Sequence, residues 1–260
     1  MTCTIAVAGK GGTGKTTLTG MLVKYLGEHA QGPVLAVDAD ANSNLNEVLG
    51  VEVEATLGDI REIVVRAEDQ LDNPIPASMT KAEYLQYRLS GAFSEEDTYD
   101  LLVMGRTQGK GCYCFVNDLL TTQLRQVAGN YEYIVVDNEA GMEHISRGVL
   151  PDVDVIILIS DCSRRGIQAV GRIAELVQNL DLKPSMVKLI VNRAPGGKLE
   201  PGVLEEIEKQ GLDLLGVVPH DDMIYEYDCA GKPSSSIPSD HGARAAFISL
   251  MDALFEQMNE

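Results

Sequence analysis

Short aliphatic and β-branched runs recur along this chain, and longer stretches with apolar residues at helical spacing separate them. Residues 3–8 (CTIAVA), 33–37 (PVLAV), 99–104 (YDLLVM), 131–136 (YEYIVV), 154–160 (DVIILIS) and 187–191 read as buried strands. A last strand starts at Leu214 and runs into Pro219-His220-Asp221. Helices are predicted over residues 17–29, 116–128, 164–180, 199–210 and 241–260. In the first of these, Leu18, Met21, Leu22, Tyr25 and Leu26 share one face. Strand alternating with helix predicts an α/β fold, a mainly parallel sheet with helices on both faces, as one domain over residues 1–260.

Residues 51–98 break this rhythm. Amphipathic helices are predicted over 57–71 and 81–89, separated by Asp72-Asn73-Pro74-Ile75-Pro76. The segment is rich in Glu and Asp and carries no recognisable chemistry, so it reads as a helical excursion on the sheet edge.

The glycines and carboxylates fall where strands end. Gly9-Lys10-Gly11-Gly12-Thr13-Gly14-Lys15-Thr16, followed by Thr17, fits G-x-x-x-x-G-K-[ST] between a strand and a helix. That order points several backbone N–H groups and a positive helix end at one anion. Lys15 is expected to reach β- and γ-phosphate oxygens and Thr16 to bind Mg²⁺. After the second strand come Asp38 and Asp40; while the chain stays extended both point to one side, where carboxylates can position Mg²⁺ waters or an attacking water. The same residues also fit an Asp/Asn-rich turn with helix caps. The strand over 131–136 closes on Asp137-Asn138-Glu139-Ala140-Gly141, a Walker B arrangement. There Asp137 would hold Mg²⁺ through water and the Gly141 N–H would meet the γ-phosphate. Glu139, Glu143 and His144 follow closely; His144 fits a metal ligand, a base or a structural histidine.

Cys112 and Cys114 form a second focus. Thiolates are soft ligands suited to nickel, zinc or copper, and Arg106, Lys110 and a helix start nearby would lower their pKa values. One such pair fills half of a four-coordinate site, and a two-fold dimer would complete it. By itself C-x-C is a weak motif, which two chance cysteines also produce. Cys162 lies in a turn, and Cys229 is expected to be buried.

Charge narrows the partners. With 21 Lys and Arg against 39 Asp and Glu the net charge is −18, which repels phosphate backbones and anionic lipid heads and argues against nucleic-acid and membrane partners. No basic segment precedes a long apolar one at the N-terminus, and the final helical stretch lacks the basic polar face of a membrane-surface helix. Five cysteines without a sign of secretion suggest free thiols in a reducing cytoplasm.

Lys10, directly after the first glycine, makes the loop K-G-G-T-G-K-T, which resembles the deviant Walker A motif of dimeric ATPases related to MinD, ParA and the nitrogenase iron protein. The resemblance implies that Lys10 crosses a dimer interface to the partner's nucleotide. It also implies that Asp38 and Asp40 form switch I, with Asp40 orienting water. Asn192, Arg193, Pro219 and Asp221 would surround the adenine, although a strand-terminal Asn192 also fits a turn cap. Together with D-A-D-A-N-S-N-L, G-C-Y-C and D-N-E-A-G-M-E-H-I-S-R-G, the loop is similar to the CooC-type accessory ATPases of carbon monoxide dehydrogenase. That implies an ATP/ADP cycle with Mg²⁺, a homodimer binding Ni²⁺ (with Zn²⁺ as a possible substitute) through Cys112 and Cys114, and the apo-dehydrogenase as client. An accessory ATPase of another nickel enzyme, such as acetyl-CoA synthase, and a regulatory ATPase with an incidental or redox C-x-C stay open.

Overall fold

The computed structural model describes residues 2–42, 44–68, 74–106, 114–140, 153–179 and 183–259. In chain order the elements are β1 (Cys3–Gly9), α1 (Lys15–His29), β2 (Val34–Ala39), α2 (Leu45–Leu49), α3 (Leu57–Glu68), α4 (Lys81–Ser90), β3 (Phe93–Glu95), β4 (Asp100–Val103), α5 (Cys114–Val127) and β5 (Tyr133–Asn138). There follow β6 (Val155–Asp161), α6 (Arg164–Asn179), β7 (Met186–Ala194), α7 (Pro201–Lys209), β8 (Leu214–Pro219), α8 (Asp222–Cys229) and α9 (Gly242–Asn259).

The strands form one eight-stranded sheet in the order β3-β4-β2-β5-β1-β6-β7-β8. Every neighbouring pair is parallel except β3–β4, so the chain after β1, β2, β4, β5, β6, β7 and β8 emerges at one edge. The central strands are buried on both faces, which is why they read as continuous apolar runs rather than alternating ones. One core lies between the sheet and α1, α2 and α9, with Leu18, Leu22, Leu45, Phe247 and Met251 at its centre. The other packs Ile60, Leu120, Leu124, Ile167 and Val203 from α3, α5, α6 and α7 against the opposite face. Burying each such side chain contributes roughly 1.5–3 kcal/mol.

Three short elements, α2, β3 and α8, carry too few residues for a periodic signal in the sequence. α2 is held by contact rather than propensity: a Cβ at Gly20 of α1 would lie 2.2 Å from Val48 Cγ1. A glycine inside a helix costs about 1 kcal/mol relative to alanine, and here it lets α2 close on the phosphate-loop helix. Element ends also moved. α1 begins at Lys15, two residues before the expected start, while β2, β5 and β7 run on to Ala39, Asn138 and Ala194. Asp38, Asp137 and Asn192 are therefore strand residues. The excursion holds α3 and α4, the latter with a reciprocal capping box between Thr80 and Glu83; residues 69–71 of the expected first helix lie outside the described residues.

Candidate nucleotide site

The loop between β1 and α1 is fixed from two sides. Gly9 sits where a Cβ would lie 2.2 Å from the Ile159 carbonyl oxygen of β6, so that strand position admits only hydrogen. Gly14 caps α1 in the left-handed region (φ 89°), and a Cβ there would meet Asn192 Nδ2 at 2.4 Å. The close approach is used, because Asn192 Nδ2 donates to the Thr13 carbonyl at 2.9 Å. Asn192 Oδ1 accepts the Arg193 N–H, and Arg193 Nη1 donates to the Gly12 carbonyl at 3.1 Å. Arg193 holds this position with φ 59°, among the described residues the one non-glycine in the left-handed region, at a cost of about 1–3 kcal/mol. Within the loop, the Thr13 hydroxyl donates to the Lys10 carbonyl at 2.9 Å and Lys15 Nζ lies 3.4 Å from the same oxygen. Lys15 is buried, whereas Lys10, Gly11 and Gly12 are exposed.

Beside the loop stand two buried carboxylates. Register pairs Asp38 of β2 with Asp137 of β5, and Asp137 with Val7 of β1. Burial pushes Asp137 up to about 7, and the neighbouring Asp38 adds to this against hydrogen bonds from Thr16 and Thr19 and the charge of Lys15. The Thr19 hydroxyl is 3.2 Å from Asp137 Oδ1. Asp38 is pushed up by burial to about 6 although its carboxylate accepts the backbone N–H groups of Leu45 and Asp40, each at 3.0 Å. Two carboxylates held against their ordinary range, with a threonine hydroxyl between them and the loop, form a hard-oxygen donor set that fits Mg²⁺. Of the two readings of Asp38 and Asp40, the extended pair is corrected and the Asp/Asn-rich turn with a cap is what the structure holds. The strand ends at Ala39, Asp38 folds the following turn onto α2, and Asp40 lies half-exposed with its carboxylate accepting the Asn42 N–H at 2.8 Å.

A cavity of ≈470 Å³ opens next to the loop and gathers Thr17, Asn192, Arg193, Pro219 and Asp221, five residues singled out by sequence, on one wall system. Val48, Tyr225 and Ser234 line it as well, and no sequence pattern pointed to them. A second cavity of ≈630 Å³ runs past Thr16, Thr17 and Asn44 along α2. Asp221 has a structural duty here. Burial opposes its charge, but N–H groups of Ala243 and Met223 and the side chain of His241 hold it below the usual carboxylate range, so it caps both α8 and α9.

The thiol and switch II readings fall largely elsewhere. Gly141, Glu143, His144, Lys110 and Cys112 lie outside the described residues; Cys114 opens α5, and its side chain lies outside them too. Cys162 is half-buried, and Cys229, expected inside, is exposed because it ends the short surface helix α8. Arg106, in the irregular stretch after β4, donates from Nη2 to Asn42 Oδ1 and so ties itself to the turn after Asp40; the cysteines follow it in the sequence. Among the described residues no group of three or more His, Cys, Asp or Glu is placed to hold a metal, and no helix is long and apolar enough to cross a membrane.

Residues 4–234 match the family described as the CobQ/CobB/MinD/ParA nucleotide binding domain. The chain is 43% identical over 241 residues to an uncharacterized ATP-binding protein of Methanocaldococcus jannaschii, covering 91% of this chain and 92% of that one. It is 30% identical over 264 residues to the carbon monoxide dehydrogenase accessory protein CooC of Rhodospirillum rubrum, covering 98% and 97%. Among solved structures, the septum site-determining protein MinD of Pyrococcus horikoshii in complex with Mg-ADP superimposes with a TM-score of 0.71 at 25% identity, over 98% of this chain and 96% of that one. A phosphate loop clamped by β7, an acidic pair at the ends of β2 and β5 and a sequence match over most of the length lead to one assignment: the chain belongs to the MinD/ParA family of P-loop, ATP-binding ATPases.

Proposed function

We propose that this chain is a single-domain, ATP-driven dimeric maturation factor that carries a nickel ion between paired thiols and delivers it to an apo carbon monoxide dehydrogenase. The observation that carries the reading is similarity over 98% of the chain to a carbon monoxide dehydrogenase accessory protein, in a sequence that carries Cys112 and Cys114 as G-C-Y-C. Nickel is cargo here, and four thiolates from two protomers would hold it; such a set accepts Zn²⁺ as well.

The nucleotide side of the cycle follows from the residues in place. N–H groups of the loop from Gly9 to Thr17 and the buried Lys15 bind the phosphates. Asp137, through water, and Thr16, backed by Asp38, would hold the Mg²⁺ that accompanies ATP, and the ion would supply charge neutralisation at the phosphates. Asn192, Arg193, Pro219 and Asp221 surround the base. Exposed Lys10 reaches the partner's nucleotide, Asp40 orients the attacking water, and Gly141 senses the γ-phosphate. Because Asp38 folds the turn that carries Asp40 and Asn42, and Arg106 bonds Asn42, a change at the phosphates would be felt at Arg106, which precedes Cys112 and Cys114 in the sequence.

The test is anaerobic equilibrium dialysis of reduced protein against Ni²⁺. One ion per two chains is expected, lost in Cys112→Ser/Cys114→Ser while ATP binding persists. Nickel binding unchanged in that variant, or absent from the wild type, would sink the carrier reading and leave an ATPase switch with another output.

A further inference from the structure

Ser234 opens the short 3₁₀ turn Ser234–Ser236 that follows α8, and it lines both the ≈470 Å³ cavity and the ≈630 Å³ cavity beside the phosphate loop. The residue is 6% exposed, and its Oγ is a buried side-chain oxygen with no hydrogen-bond partner among the described residues. A buried hydroxyl with neither its donor nor its acceptor used is destabilising and rare, so it calls for an occupant. The other hydroxyl of the turn for which a bond is described, Ser236 Oγ, donates to the Pro233 carbonyl at 2.7 Å.

The backbone around Ser234 is held in place. Arg244 of α9 donates to the carbonyls of Ser235, at 2.8 Å, and Ile237. On the other side, a Cβ at Gly50 would come within 2.4 Å of Pro233 Cγ, so the turn is pressed against the end of α2. The turn that carries the unspent hydroxyl is thus fixed, and rotation about the Ser234 Cα–Cβ bond is the one movement needed to turn the buried Oγ toward a ligand in the cavity that the residue lines, at little ordering cost.

Its position names the ligand part. Thr17, which directly follows the phosphate loop, lines both cavities alongside Ser234, while Asn192 and Pro219 line the first cavity at the ends of β7 and β8. In a nucleotide the group between phosphates and base is the sugar. We propose that Ser234 Oγ hydrogen-bonds a ribose hydroxyl of the bound nucleotide and sets a preference for ribo- over deoxyribonucleotides. The proposal rests on the nucleotide reading of this cavity and is independent of the nickel reading.

Calorimetric titration of wild type and Ser234→Ala with Mg-ADP and its 2′-deoxy and 3′-deoxy analogues tests it, with Tm recorded without nucleotide. Wild type should bind one deoxy analogue about fivefold to tenfold more weakly than ADP, the worth of one hydrogen bond. Ser234→Ala should bind ADP as weakly as wild type binds that analogue, without distinguishing the two, and its Tm should equal or exceed that of wild type because an unpaired buried hydroxyl is gone. Ser234→Cys, which keeps the side-chain shape, should show the same loss of discrimination. Either variant keeping the wild-type ratio, a wild type that does not discriminate, or a lowered Tm in Ser234→Ala would overturn the sugar contact. A wild type that binds no nucleotide would instead overturn the site itself.

Discussion

Two places in the molecule cover carboxylates from solvent and treat them in opposite ways. Glu206 of α7 is 1% exposed, yet it is held down to about 2 by Arg164, whose Nη2 lies at 2.8 Å, and by the Gln210 amide at 2.9 Å. Asp38 and Asp137, 0% and 1% exposed, are pushed up to about 6 and about 7. Depth and company both differ: Glu206 lies near the surface under the largely exposed Arg164 side chain, while the aspartates lie deep in the sheet. Glu206 finds its cation inside the chain, and its site is complete. In the aspartate pair each carboxylate faces the other. Backbone N–H groups of Leu45 and Asp40 serve Asp38, and the hydroxyls of Thr16 and Thr19 and the Lys15 charge serve Asp137, but burial outweighs them, so a cation from outside would settle the pair. Strain of that kind marks a working site rather than a structural one.

The contrast can be attacked from several directions. The largest effect is expected from Lys15→Ala, which removes the one buried loop cation: ATP turnover should fall by ~100-fold or more, while anaerobic nickel binding stays intact. Equal loss of both would mean that the two sites are not separable. Next comes a pair of neutral isosteres with opposite signs. Asp137→Asn should raise the nucleotide-free Tm at about pH 8 by roughly 2–4 °C per kcal/mol of relieved burial cost, and abolish the further rise given by Mg-ADP. Glu206→Gln should lower Tm under the same conditions and leave turnover within about twofold. Matching signs in the two variants would erase the distinction drawn above.

The pH dependence is a finer probe. Asp38 and Asp137 are raised above their ordinary 3.8, so the stability linked to them is fully present below that value and is lost as pH climbs through about 6 and about 7. Glu206 is lowered from 4.5, so its contribution is present above that value and is lost as pH falls towards about 2. The Tm advantage of Asp137→Asn over wild type should therefore be absent below 3.8, grow as pH rises towards about 7 and level off above it, read by calorimetry in matched buffers. The smallest effect is reserved for Cys229→Ser. The thiol is exposed at the end of α8, so stability should change by less than about 0.5 kcal/mol and nickel stoichiometry not at all.

Much of the architecture was legible because parallel strands buried on both faces write themselves as apolar runs, and β1, β5 and β6 did so plainly. Legibility stopped where contact outweighs pattern. The five residues of α2 are placed by Gly20 against Val48, a long-range fit that no local window records. The site followed the same division. Gly14, Lys15 and Asp137 were readable because their spacing is itself the chemistry. Asn192 was read as a base contact, but its amide is also spent on the Thr13 carbonyl, an interaction between residues 179 apart in sequence. Asp40 was expected to extend beside Asp38, and the turn folded by the Asp38 carboxylate moved it. Thr19 carried a faint signal, since it lies one helical turn beyond Thr16 and so shares its face. Ser234 carried none, because a buried unpaired hydroxyl exists only once the chain is folded.

The central claim is that nucleotide and thiol-bound metal belong to one cycle. Native mass spectrometry of anaerobic wild type with Mg-ATP and Ni²⁺, beside Cys112→Ser/Cys114→Ser, tests it most directly. The account predicts a species of two chains, two nucleotides and one nickel in the wild type, and a nucleotide-loaded species without nickel in the variant. Nickel and nucleotide found only on separate species, or nickel that survives loss of both cysteines, would contradict it.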